Sequence, residues 1–193
     1  STATDKGDQG VDASYGWGLV NISKAVKGPA LFDKRLALGD YVNVSFNNVT
    51  SSFDNNIAGD AGLIKDGSGT LLLNGTNTYT GNNIVRNGVL KINGTSVSGV
   101  AIELQGALSG DGGYIGANVT NNGGTLINEG SGLTIQGDYI AASGSTIESS
   151  TDSTLKVKGK AILNDSNLII KAPVDSNNNP VYISKNGIKN DII

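Results

Sequence analysis

Between Leu63 and Asn93 the chain alternates short apolar runs with polar corners. Thr70–Leu73, Ile84–Val85 and Val89–Ile92 read as β-strands, and Gly and Asn separate them with little charge between. Strands this short cannot each bury a face alone, so they must stack on copies of themselves. Similar runs follow at Ala101–Leu104, Tyr114–Ile115, Leu126–Ile127, Leu133–Ile135, Thr146–Glu148, Leu155–Val157, Ala161–Leu163 and Leu168–Ile170. Two or three runs per turn correspond to coils of about 20–25 residues, so about six coils fit between Gly62 and Ala172. The pattern predicts an all-β fold, a right-handed parallel β-helix, with one short helix near the N-terminus.

Five Asn-Gly pairs, at Asn74, Asn87, Asn93, Asn122 and Asn186, hold open a competing antiparallel sandwich or barrel. Asn-Gly is the strongest two-residue hairpin signal. Runs of three or four residues are too short for a stable meander, however. A β-helix also needs positive-φ corners, which Gly and Asn supply at low cost.

Within the same stretch, Leu63, Lys65, Gly67, Gly69, Thr70, Leu71, Leu73, Asn77, Thr78, Tyr79, Thr80 and Gly81 stand in a fixed order. That order closely resembles the passenger-associated repeat of Gram-negative autotransporters. Ser109–Gly113 through Asn121–Gly124 resembles the Gly-rich coil of that family. Leu133–Tyr139, Leu155–Gly159 with Ala161, and Val181–Lys189 resemble its following elements. The resemblance implies a passenger exported across the outer membrane by type V secretion, and both chain ends read as cut from a longer passenger.

Residues 2–28 have a different character. Gly16 and Gly18 flank the only Trp, and Leu19–Val26 has a helical pattern that places Leu19, Ile22 and Val26 on one face before Gly28-Pro29 stops it. Thr2–Asp5, Val11–Asp12, Tyr15–Asn21 and Lys24–Ala25 resemble the closing stretch of a subtilisin-like serine protease domain. An ordinary N-terminal cap helix on the β-helix is the competing reading. The resemblance implies protease ancestry without protease chemistry here. A Ser-His-Asp triad needs an imidazole to carry the proton, and the chain contains no histidine.

Composition removes other function classes. Only 16% of residues are Asp, Glu, Lys or Arg, against roughly 25% in ordinary soluble domains. Uncharged polar side chains suit stacked rungs, where like charges would repel. The net charge is −3, and nine of the fourteen Lys and Arg lie beyond Asp60 without clustering, so nucleic-acid binding is not expected. Cys and Met are absent, which suits a chain that crosses an oxidising periplasm unfolded. No apolar run approaches the length of a membrane helix. The Asn-x-Ser/Thr sequons at Asn21, Asn43, Asn48, Asn74, Asn93, Asn118 and Asn164 follow from abundant Asn, Ser and Thr.

Gly67–Gly69 and Gly110–Gly113 do not continue as a phosphate loop, which would end in Gly-Lys-Ser/Thr at a helix start. Asp111 among glycines has no second calcium nonapeptide copy after it. The acidic residues are dispersed, so the paired carboxylates of a polysaccharide lyase or hydrolase are not expected. No catalytic, cofactor-binding or metal-binding residue is expected.

The expected organisation is 1–29 as the end of a protease domain, 30–60 as a linker that caps the first coil, and 61–193 as the β-helix. The expected role is a non-catalytic stalk and folding scaffold, extracellular or at the cell surface and monomeric. A parent protease and an outer-membrane translocator barrel would be its partners in cis. An adhesin for glycans or host-surface protein is the first alternative, and a β-helical lyase or hydrolase the second.

Overall fold

The computed structural model describes residues 2–4, 6, 13–14 and 18–172. The readings at Thr2–Asp5, Val11–Asp12, Tyr15–Asn21, Val181–Lys189 and Asn186 fall wholly or partly outside them.

The chain winds into a parallel β-solenoid of about seven turns. The first face carries Tyr41–Ser45, Gly62–Asp66, the starts of Asn83–Ile92 and Val100–Gly110, then Val119–Asn121, Tyr139–Ala141 and Ala161–Leu163. The second carries Thr50–Phe53, Thr70–Leu73, the ends of the same two long strands, then Thr125–Asn128, Thr146–Ser150 and Asn167–Lys171. The third is narrower: Thr76–Asn77, Thr95–Ser96, Gly113–Ile115, Leu133–Ile135 and Lys156–Val157. Every pairing between these strands is parallel. The Asn-Gly pairs within the described residues are therefore coil corners, not hairpin turns.

Alternation decides what lies inside. On the second face Leu71, Leu90, Leu108, Leu126 and Ile147 stand one above another, the four leucines fully buried. On the first face the inward column runs Val44, Lys65, Val85, Ile102, Asn121, Ala141. Successive coils thus bury each other's apolar stripe, and none has a core of its own.

Two sequence readings change at the N-terminal end. Tyr41–Phe53, within the stretch read as a capping linker, is a coil in register with the repeat: Tyr41 pairs with Gly62 and Thr50 with Thr70. The alternation of Tyr41, Val42, Val44 and Phe46 reads as a strand in the sequence, and Tyr41–Ser45 is one; what changes is that the segment stacks in register with the repeat. The helix (α1) is shorter than Leu19–Val26. It spans Ile22–Ala25, Asn21 caps it through Lys24 N–H, and Leu19 instead bridges Thr4. Leu19, Ile22 and Val26 are all exposed. A second helix (α2), Lys34–Ala37, is capped by Asp33. Just before it, Phe32 covers the core with its ring 4.8 Å from that of Tyr79.

Candidate functional site

The polar residues that the sequence singles out do not converge on one cleft. They form interior clusters and corner ladders that join one coil to the next.

Lys65 is the most unusual of them. Strand alternation turns its side chain inward, between Val44 and Val85, and it is fully buried. The ammonium lies 5.0 Å from the centre of the Phe46 ring. It donates to the carbonyls of Asp66 at 2.8 Å, Gly67 at 2.7 Å and Asn87 at 3.2 Å. Burial lowers its pKa from the ordinary lysine value, while the charge of Asp66 opposes the shift. A buried cation without partners would be expelled, and here three carbonyls of the Gly67 and Gly88 corners take the place of water. Gly67 and Gly88 have φ of +71° and +68°, a conformation that glycine adopts without penalty.

Tyr79 organises the other end of the repeat. Its hydroxyl donates to Asn83 Oδ1 at 2.5 Å, and Asn83 Nδ2 donates to Gly99 O at 3.1 Å and Ser96 Oγ at 3.3 Å. Ser98 Oγ returns to Tyr79 O at 2.5 Å. Burial pushes the Tyr79 phenol far above its usual pKa, so it stays a neutral donor. Tyr139 and Asn121 also pair further along but with the donor reversed, Asn121 Nδ2 donating to the phenol oxygen at 3.2 Å.

Outside, one corner carries a polar ladder through successive coils. Asn74 Nδ2 donates to Asp54 Oδ1 at 2.5 Å, and Asn93 Nδ2 to Asn74 Oδ1 at 3.0 Å. Asp111 N–H then donates to Asn93 Oδ1 at 3.1 Å, and Ser131 N–H to Asp111 Oδ1 at 2.7 Å. The N–H of Ser131 holds the Asp111 carboxyl below the usual carboxylate range. A second corner runs Asn118, Asp138, Lys160, each side-chain oxygen accepting the next backbone N–H. Glu129 accepts from Lys91 and Ser109, both at 2.9 Å, and Lys91 holds its pKa down.

Asp111 is thus a corner acceptor. Among the described residues no group of three or more Asp, Glu, His or Cys could hold a metal ion. At Gly67–Gly69 the backbone N–H groups of Gly67, Ser68 and Gly69 donate to Asp66 Oδ1, Asn47 Oδ1 and Phe46 O at 2.7, 2.9 and 3.0 Å. The signal for these roles was present at Lys65, whose position breaks an otherwise apolar alternation. It was absent for the ladders, because bonded residues stand about one coil apart in sequence.

A family model described as Passenger-associated-transport-repeat matches residues 63–92, a stretch that includes Lys65, Tyr79 and Asn83. The chain is 39% identical over 125 residues to the Neisserial autotransporter lipoprotein NalP of Neisseria meningitidis serogroup B, covering 64% of this chain and 11% of that protein. It is 38% identical over 143 residues to an extracellular serine protease of Serratia marcescens, covering 58% of this chain and 14% of that protein. An adhesin, BmaC autotransporter of Brucella suis biovar 1, is 37% identical over 89 residues, 44% of this chain and 3% of its own length. The chain therefore spans only a small part of the relatives it matches. The repeat, the parallel coils and these relatives together support an autotransporter passenger fragment, and the likeness indicates the extracellular space or the cell surface.

Proposed function

We propose that this segment is the non-catalytic stalk and folding scaffold of a secreted subtilisin-like protease, with residues 1–29 closing the protease domain. The protease and a translocator barrel are its partners in cis. The observation that carries the reading is the use of its polar groups. Lys65, Tyr79, Asn83, Asn74, Asn93 and Asp111 all bond to their own or a neighbouring coil, which leaves them to hold rungs together instead of binding a substrate. The names of the Neisseria and Serratia relatives and the absence of histidine support the division into a protease upstream and a scaffold here. The exposure of Leu19, Val20, Ile22 and Val26 supports it too, since four apolar side chains beside α1 suit a piece of a larger core.

Coil-by-coil stacking suits a chain that emerges progressively from a pore. Each rung templates the next without long-range loop closure. The test is Leu108→Asn in the whole passenger. The amount of protein reaching the cell surface is expected to fall, while peptide hydrolysis per folded molecule stays unchanged. A per-molecule rate that falls in step with display would sink the scaffold reading.

The similarity to the Brucella adhesin favours one second reading, a binding wall for glycans or host-surface protein along the Asn- and Thr-rich outside. Tyr114 is its outward aromatic, 37% exposed and bonded to Gln136. Retention on a glycan array or on host cells would favour this reading, and a clean negative would retire it.

A further inference from the structure

A tether between two domains normally leaves its backbone to water and swings freely. The stretch from α1 to α2 does not. Asn55 Nδ2 donates to Lys24 O at 2.7 Å and to Gly28 O at 2.6 Å, so a single amide group spans the two carbonyls on either side of the α1 C-terminus. Lys24 O also accepts from Lys27 N–H at 3.1 Å, so the amide ties an already closed helix end to the stack. Beside it, Asp54 N–H donates to Lys27 O at 2.8 Å, and Ala58 N–H to Ala30 O at 3.0 Å. Leu31 and Phe32 then pair in parallel with Ala58 and Gly59. Phe32 O accepts from Asp60 at 2.9 Å and Ala61 at 3.1 Å, and Asp60 Oδ1 accepts from Lys34 N–H at 3.0 Å.

Two glycines permit this closeness. Gly28 has φ +93°, and a Cβ there would lie 2.8 Å from the Phe53 ring. Gly59 has φ +124°, and a Cβ there would lie 1.9 Å from Phe32 O. Only a residue without a side chain lets the two strands approach so far. The residues that receive α1 also begin the outer corner ladder, since Asp54 accepts from Asn74. Contacts at the joint are therefore continuous with contacts along the stack.

We infer that α1 and the first coil form one rigid joint fastened by Asn55, so that a folded domain preceding α1 is carried at a fixed angle on the stack instead of on a loose tether. The inference rests on the scaffold reading only for what that domain is. Asn55 is a positioning residue, because it acts through the orientation of α1.

The chain has no cysteine, so Val20→Cys and Leu104→Cys, both at well-exposed positions, introduce unique sites for spin labels. Double electron–electron resonance on the full chain is expected to return a single narrow distance distribution. Asn55→Ala should broaden it severalfold, while Asn122→Ala, at an exposed corner remote from the joint, should leave it unchanged. Circular dichroism confirms that each variant keeps its β-structure. A broad distribution with Asn55 in place overturns the rigid joint, whether or not any variant folds. A distribution that stays narrow in Asn55→Ala overturns the role of Asn55. Either result leaves the protease reading intact, since that reading fails only on the identity and activity of the upstream domain.

Discussion

The ammonium of Lys65 sits 2.7 Å from the carbonyl of Gly67, inside a column whose neighbouring positions are Val44 and Val85. A charge has thus been placed where the stack otherwise puts valine. The arrangement works because two glycine corners in adjacent coils turn their carbonyls toward it. Lys65→Met keeps the length of the side chain and removes the donors, leaving three carbonyls short of a partner. The expected loss is about 2–4 kcal/mol, the cost of a few buried acceptors left unsatisfied, partly offset by the apolar fill. A lowered urea midpoint with an unchanged slope would show it, and a stabilised variant would contradict the assigned role.

Tyr79→Phe separates packing from hydrogen bonding at the Phe32 end of the core. The ring contact at 4.8 Å survives, but Asn83 Oδ1 loses the hydroxyl that donates to it. The variant should be destabilised by about 1–3 kcal/mol. Equilibrium unfolding followed by circular dichroism measures the difference.

Gly59, paired with Phe32, and Gly39, just after α2, should respond oppositely to alanine. Gly59→Ala meets Phe32 O at an impossible distance with φ +124°. Steric and backbone strain together should cost upward of about 2 kcal/mol. Around Gly39 there is open space and no positive φ, so Gly39→Ala should be neutral or stabilising by up to about 1 kcal/mol. Thermal melts of the two variants side by side provide the comparison.

The corner ladder should show in acid. The Asp111 carboxyl is held low chiefly by Ser131 N–H. For a folded-state pKa depressed below the unfolded one, the stabilisation is present above the unfolded value. It is lost as pH falls through the folded value. Stability should therefore decline below about pH 4, the ordinary range of an aspartate. Asp111→Asn should make that decline shallower. Urea midpoints collected from neutral pH downward would reveal an unchanged slope if Asp111 were merely solvated.

Much of the stack was legible from local pattern. Thr70–Leu73, Leu133–Ile135 and Ala161–Leu163 occur as strands with the ends that the sequence indicates. The corner readings at Asn87-Gly88 and Asn122-Gly123 agree with positive φ at both glycines, whereas Gly75 and Gly94 turn the chain without it. The two-residue strands Thr76–Asn77 and Thr95–Ser96 were not legible, because so short a run has no period to detect. The strand at Tyr41–Ser45 was legible from its alternation, but its register with Gly62–Asp66 was not, because pairing is set a coil away along the chain.

The sequence by itself determined that this chain stacks short parallel strands with glycine and asparagine at the corners. Alternation and turn chemistry are local, and each coil carries its own copy. It also determined, through the Leu63–Gly81 order, the family to which that stack is similar. Only the tertiary structure decided which polar groups meet. Asp54 with Asn74, Lys65 with Asn87, and Asn55 with α1 are joined by register, and each partner lies a coil or more away along the chain. Nothing in the spacing of residues says which of many similar asparagines will bond once the coils close.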